Sequence, residues 1–210
     1  MEQLTIALSK GRIMKDTLKL LQETGIECSD IYEDSRKLIF NSTKSRIKFI
    51  IAKPFDIPTY VEYGVADLGI VGKDVIMEEK KDVYELVDLK FGFCRLVVAG
   101  PKERKGYPPH PRIASKYPRI AEEYFMQKGE QVEIIKLNGS VELAPIIGLS
   151  DKIVDIVSTG KTLKENNLKE LEEIDKITAR LIANRVSFRL KSKRINDLIK
   201  KINSVIEEGF

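Results

Sequence analysis

The chain has 210 residues, 42% of them hydrophobic and 32% charged, with a net charge of +4. That balance supplies a real core and excludes a disordered chain, and no apolar run approaches the roughly 18 residues of a membrane span. Lysines and arginines are interspersed with acids, which points to anionic small molecules rather than to a nucleic-acid footprint.

In chain order, Met1-Glu2-Gln3-Leu4 lacks a basic segment leading into an apolar one, so no secretory signal is expected and the chain is expected to be cytoplasmic. Leu4–Leu8 reads as a buried strand, followed by Ser9-Lys10-Gly11-Arg12 and a helix over Met14–Thr24 that Gly25 stops. Ile47–Ala52 and Leu68–Val71 read as further strands, with a helix at Thr59–Tyr63 between them. A boundary between halves is expected near Phe91–Arg95. Beyond it come a strand at Arg95–Ala99, a proline-rich surface loop at Pro101–Pro111, and Ile113-Ala114-Ser115-Lys116. A helix over Tyr117–Gln127 stops at Gly129, and a strand at Val132–Leu137, a helix at Val141–Leu149 and a strand at Ile153–Val157 follow. Ile177–Phe188 reads as strand. Ile195, Leu198, Ile199, Ile202, Val205 and Ile206 form one stripe of a last helix, with Ser192 as its expected cap. That stripe is expected to pack on the first lobe or on another subunit. Cys28 and Cys94 have no paired spacing, and His110 is the single histidine, so buried reduced thiols are expected rather than a metal site.

Alternating strands and helices predict α/β layers with mostly parallel strands. The plan also looks used twice. Ser9-Lys10 and Ser115-Lys116 each lead into a helix that ends at a glycine, and Asp67–Asp74 and Asp155–Thr162 both read Asp, four residues, Gly-Lys and a polar residue. If the lobes face each other, four lysines (Lys10, Lys73, Lys116 and Lys161) line one cleft at the strand C-termini, where open α/β sheets bind ligands. The expected fold is thus α/β, two-lobed and periplasmic-binding-protein-like (type II), with the active site in the inter-lobe cleft. Lobe I takes residues 1–93 and 180–210, and lobe II takes residues 94–179.

The segment Ile153–Val157 carries one carboxylate, Asp155, which is costly to bury unpaired and should be paired or ligand-facing. Ser158-Thr159-Gly160-Lys161-Thr162 then offers backbone N–H groups, three hydroxyls and an ammonium in a small volume, a donor set suited to phosphate. Asp155 accepts hydrogen bonds, which suits ribose hydroxyls. Read alone, the loop fits either a sugar-phosphate cradle or a plain strand–helix turn. It is not a P-loop, because the position five residues before Gly160-Lys161 is Asp155 rather than glycine. Lys10 and Arg12 at a strand-to-helix junction, and Arg36 with Lys37, are candidate anion ligands.

Ile6–Arg12, Ser35–Leu38, Gly64–Asp74 and, above all, Glu142–Leu163 resemble the ATP phosphoribosyltransferases of histidine biosynthesis over nearly the whole chain. The resemblance implies attack of adenine N1 of ATP on the anomeric carbon of phosphoribosyl pyrophosphate, with Mg²⁺ carried by pyrophosphate and water and no metal held by the protein. By similarity, Asp155, Ser158, Thr159, Gly160, Lys161 and Thr162 hold the ribose and 5-phosphate, and Glu142 faces the ribose. Arg12 and Arg36, assisted by Lys10, take the departing pyrophosphate. Asp74, Cys94, Arg95, Lys116 and Tyr117 are candidates for ATP. Ser158 departs from relatives that carry an acidic residue there. Adenine N1 has its own lone pair, so a chain with one histidine suits chemistry that rests on positioning and on charge stabilisation. The length matches the short form of the family, which implies a homodimer within a hetero-octamer that also contains a histidyl-tRNA-synthetase-like regulatory subunit. It implies no membrane or nucleic-acid partner. A solute-binding protein, the effector domain of a regulator and a phosphoribosyltransferase with another acceptor are the competing readings.

Overall fold

The computed structural model describes residues 3–28, 30–31, 35–104 and 106–210. It divides into two compact units, Met1–Gly92 with Thr178–Phe210, and Phe93–Ile177. The first unit is built from β1 (Leu4–Ser9), α1 (Met14–Glu23), β2 (Ile39–Ser42), β3 (Ile47–Ala52), α2 (Ile57–Glu62), β4 (Leu68–Gly72), α3 (Lys73–Glu79) and β5 (Tyr84–Asp88). The second contains β6 (Cys94–Pro101), β7 (Arg112–Ser115), α4 (Pro118–Gln127), β8 (Glu133–Lys136), α5 (Leu143–Ile146), β9 (Lys152–Val157), α6 (Lys161–Glu165) and β10 (Leu168–Ile177). The chain then returns to the first unit with β11 (Ala179–Ala183), α7 (Arg185–Leu190) and α8 (Ser192–Glu207).

The sheet orders are β2-β3-β1-β4-β11-β5 and β10-β6-β9-β7-β8. In the first, β3, β1 and β4 run parallel and β11 is antiparallel to β4 and β5. In the second, β8, β7 and β9 run parallel, β6 is antiparallel to β9, and β10 to β6. The two sheets therefore share one topology, apart from the extra edge strand β2. Helix ends repeat as well. Gly25 (φ +82°) follows α1 and Gly129 (φ +71°) follows α4, each N–H returning to a carbonyl three residues back, with the next N–H returning five back. That is a Schellman stop, which needs the left-handed backbone that glycine adopts without strain.

One face of the first sheet packs Leu4, Ile6 and Leu8 against Met14, Leu20 and Leu21 of α1 and Ile195, Leu198 and Ile202 of α8. The last helix thus folds back on the first unit. The other face packs Ala7 and Val71 against Ile57, Val61 and Val75 of α2 and α3. Cys28 lies in the first of these cores, where burial pushes its thiol up to about 11 and leaves it unreactive near neutrality. Both cysteines are free and buried.

Several expectations change. Ile177–Phe188 is not one strand: Ile177 ends β10, the short strand β11 covers only Ala179–Ala183, and α7 begins at Arg185. Asn184 makes that break: its side-chain oxygen accepts from the N–H of Val186 (3.0 Å) and Ser187 (2.9 Å), a helix cap. Ser192 is the first residue of α8, not its cap, because α7 runs through Lys191 into the longer helix with little interruption. Within Val141–Leu149 only Leu143–Ile146 is helical, because the chain turns at Gly148 (φ +75°) and the N–H of Leu149 returns to Ala144.

The apparent match of Asp67 with Asp155 also fails. Asp67 accepts the N–H of Thr5 at 2.8 Å and returns its own N–H to the Thr5 carbonyl. Asp151 does the same with Arg112, its carboxylate also at 2.8 Å. These two carboxylates are the structural counterparts, each pinning the N-terminal ends of the central parallel pair. Asp155 lies four residues further along its strand.

Candidate functional site

In the second unit β7 and β9 are parallel neighbours. From β7 the chain leaves through α4 towards β8 at one edge of the sheet, and from β9 through α6 towards β10 at the other. Crossovers that diverge from adjacent parallel strands leave a crevice beyond their C-terminal ends, where doubly wound sheets take their ligands. Ser115-Lys116-Tyr117 stands on one side of that crevice and Asp155–Thr162 on the other.

Asp155 shares a face of β9 with Ile153 and Val157, which pack with Ala144 of α5 and Leu163 of α6. It is 6% exposed. One carboxylate oxygen accepts the N–H of Ile156 at 2.8 Å, and the other is 3.7 Å from the Lys116 ammonium. Burial pushes its pKa up to about 6; Lys116 and the Ile156 N–H oppose the rise and the Glu142 carboxylate adds to it. Glu142, the residue before α5, therefore acts electrostatically on the same spot.

The turn after β9 is where the two units part. The helix begins six residues after Asp67 in the first unit but ten residues after Asp151 in the second. The four additional residues make room for Ser158 and Thr159, both exposed, and for Gly160 in the left-handed region (φ +72°). The Lys161 N–H points back to the Thr159 hydroxyl at 3.4 Å. Lys161 and Thr162 are exposed too, and the Lys161 ammonium rests 3.7 Å from Glu165 in a solvated pair. Such a pair is worth little and yields to a phosphate. Hydroxyls, backbone donors and a displaceable ammonium thus converge on one open turn beside a buried carboxylate.

Arg95 and Glu170, on adjacent strands β6 and β10, form a two-pronged pair at 2.7 and 2.8 Å. A side chain on Gly160 would come within 3.5 Å of the Glu170 carboxylate, so this pair stands beside the turn. Cys94 and Tyr117 are buried, and Tyr117 donates its N–H to the Ser115 hydroxyl at 2.8 Å. That hydroxyl donates in turn to the Val154 carbonyl, which ties the end of β7 to β9.

The first unit has a matching divergence between β1 and β4. After β1, exposed Lys10 donates to the Ser35 carbonyl at 3.4 Å, and Arg12 donates to the Gly92 carbonyl at 2.7 Å. Ser35 also accepts the N–H of Lys37, so the turn bearing exposed Arg36 is brought to Lys10. After β4, Lys73 is salt-bridged to Glu85, and the buried Asp74 carboxylate folds over Gly72 where an added side chain would clash with it. This turn is filled by its own acid and is not a second phosphate cradle. Of the four lysines that the repeat suggested, Lys73 turns to Glu85 and Lys116 to Asp155, while Lys10 and Lys161 remain exposed. Sequence reasoning did not foresee the Lys116–Asp155 and Arg95–Glu170 pairs. Glu170 lies in an acidic stretch that reads as a solvated strand face, and no local signal joins it to Arg95, 75 positions away.

A family model described as HisG, ATP phosphoribosyltransferase, matches residues 53–204. An ATP phosphoribosyltransferase of Caldanaerobacter subterraneus subsp. tengcongensis is 56% identical over 210 residues, covering 100% of both chains. One of Thermoanaerobacter sp. is 56% identical over 208 residues, covering 99% of this chain and 98% of its own. The ATP phosphoribosyl transferase (HisG:HisZ) complex from Thermotoga maritima superposes with a TM-score of 0.86 at 40% identity, covering 98% of this chain and 100% of that one. A substrate-binding protein of an amino acid ABC transporter superposes at 0.62 with 16% identity, covering 98% and 94% respectively, a likeness of fold alone.

Proposed function

The chain belongs to the ATP phosphoribosyltransferase family, and from that premise we propose how its residues divide the reaction. The enzyme is the catalytic subunit for the first step of histidine biosynthesis. It transfers the phosphoribosyl group from phosphoribosyl pyrophosphate to N1 of the ATP adenine and releases pyrophosphate. The observation that carries the assignment of residues is the open turn Ser158–Thr162 beside buried Asp155, at the divergence of β7 and β9.

In this reading the turn holds the 5-phosphate through its backbone donors, its hydroxyls and Lys161, with Gly160 allowing close approach. Asp155 and Glu142 accept hydrogen bonds from the ribose hydroxyls. As the bond to pyrophosphate breaks, the ribose becomes cation-like and the leaving group gains charge. Arg12, Arg36 and Lys10 receive that charge. Mg²⁺ arrives as part of the pyrophosphate substrate. Asp155, buried and already facing an ammonium, is a poor direct ligand for a hard dication, so the ion stays on pyrophosphate oxygens and water. Asp74, Cys94, Arg95 and Tyr117 remain the candidates for ATP.

The Thermotoga relative is a HisG:HisZ complex. By extension this chain forms dimers within a hetero-octamer with a regulatory subunit resembling histidyl-tRNA synthetase, in the cytoplasm. No helix among the described residues is long and apolar enough to cross a membrane.

The test is to combine the chain with ATP, phosphoribosyl pyrophosphate and Mg²⁺, with and without the regulatory subunit, and follow product absorbance. Product is expected with ATP and not with other bases. In the same assay Arg36→Ala lowers turnover about 100-fold, as loss of one charge-stabilising donor does elsewhere, with ATP affinity within about threefold by the same reasoning. Unchanged turnover removes Arg36 from the leaving-group role.

A further inference from the structure

Lys116 follows β7, and the resemblance to the family placed it among residues for ATP. Its ammonium instead lies 3.7 Å from the Asp155 carboxylate. At that distance the contact is an ion pair rather than a hydrogen bond, so the carboxylate keeps lone pairs for a ligand. We propose that Lys116 serves the reaction through Asp155, as a positioning residue that keeps this carboxylate charged and held in place for the ribose hydroxyls. The inference rests on the reading of Asp155–Thr162 as the ribose-phosphate loop.

The surroundings of Asp155 explain why such a partner matters. The carboxylate is nearly sealed from water, and burial opposes its charge. Glu142, before α5, pushes in the same direction. Other cations nearby are paired elsewhere or face solvent. On α6, Lys161 pairs with Glu165 and Lys164 is exposed. On β6, Arg95 is held by Glu170, and on β7, Arg112 lies by Asp151. Lys116 is thus the cation acting on Asp155 among the described residues. Its removal favours the protonated acid, and a protonated Asp155 offers ribose a weaker acceptor.

The two parallel strand ends hold the pair together. Ser115 and Val154 are in register, and the Ser115 hydroxyl bonds to the Val154 carbonyl at 2.7 Å, so Lys116 and Asp155 emerge as neighbours. A role in binding ATP needs the ammonium to leave this partner. A role through Asp155 needs no movement.

The experiment compares Lys116→Met, Lys116→Arg, Asp155→Asn and the double variant Lys116→Met/Asp155→Asn, measuring kcat/KM for each substrate from pH 5 to 9. In the parent enzyme, kcat/KM for phosphoribosyl pyrophosphate falls on the acid side near pH 6, following Asp155. Lys116→Met moves that limb upward by about one pH unit, a roughly fivefold loss at pH 6 that shrinks by pH 8, the lower end of what one neighbouring charge does. The KM for ATP stays within twofold by this logic, Lys116→Arg restores the limb, and Lys116→Met adds nothing on top of Asp155→Asn. An unmoved limb, an additive double variant, or a loss confined to ATP overturns the proposal. If Lys116→Met does not fold by thermal melting, Lys116→Gln carries the same comparison. Full activity in Asp155→Asn would sink the ribose-phosphate reading itself. An inactive Asp155→Asn beside an unshifted Lys116→Met limb would sink only the role of Lys116.

Discussion

Asp155→Asn makes the enzyme more stable and nearly inactive. The folded protein holds this carboxyl at about 6 against an ordinary value of 3.8. A carboxyl raised in this way favours the fold fully below its unfolded value, and that contribution is lost as pH rises through the folded value. At pH 7 the ionised Asp155 therefore costs stability on the order of 1–3 kcal/mol. Asparagine keeps the acceptor for the Ile156 N–H and carries no charge to desolvate. Its melting temperature should match the parent near pH 4 and exceed it by several degrees at pH 7. Against this gain, each hydrogen bond from a ribose hydroxyl to a charged acceptor is worth roughly 1.5–3 kcal/mol. Losing that charge lowers kcat/KM for phosphoribosyl pyrophosphate by about 100-fold or more. Melts from pH 4 to 8 and steady-state kinetics check both halves. A variant that is less stable at pH 7 than at pH 4, relative to the parent, contradicts the electrostatic account.

Asp67→Ala strikes the fold instead of the chemistry. The Asp67 carboxylate accepts the Thr5 N–H (2.8 Å), the Ser187 hydroxyl (2.6 Å) and the Lys191 ammonium (2.8 and 2.9 Å). It joins β1, the approach to β4 and the α7–α8 region, and so ties the two separate stretches of chain that make the first unit. Asp67 is 5% exposed, and breaking a buried pair by removing one partner costs about 3–5 kcal/mol. Lys191 keeps a bond to the Gln3 carbonyl (2.9 Å), which places the expected loss near 3 kcal/mol, the lower end of that range. Its structural counterpart gives the control. Asp151 is paired with Arg104 and Arg112, whose side chains are 37% and 43% exposed and can return to water. Asp151→Ala should therefore cost roughly half as much. Urea unfolding of both variants measures the difference, and an Asp151→Ala loss equal to or larger than that of Asp67→Ala refutes the comparison.

Much of the architecture is legible because its signals are local. The apolar stretches at Leu4–Leu8 and Ile153–Val157 lie in strands β1 and β9, and Gly25 and Gly129 stop helices, because a left-handed residue at a helix end needs glycine wherever the helix lies. The phosphate-type turn is legible for the same reason: its donors come from consecutive residues. The break inside Ile177–Phe188 was hidden because Asn184 caps α7 while its amide donates to the carbonyls of Val61 and Glu62, partners more than a hundred positions away.

Residue order alone is enough to read the α/β class, the duplicated plan, the Ser158–Thr162 donor cluster and the family that these residues share. Each depends on residue order within a few turns or a single strand. Which aspartates correspond emerges only on folding, because strand register depends on which carboxylate meets the N–H of a neighbouring strand: Asp67 meets Thr5 and Asp151 meets Arg112. That register exposes the four additional residues that open the second turn, while Asp74 closes the first. It also brings Lys116 to Asp155 and Arg95 to Glu170. Charges are placed by folding across long separations, and a carboxylate's chemistry depends on the burial and partners it finds there.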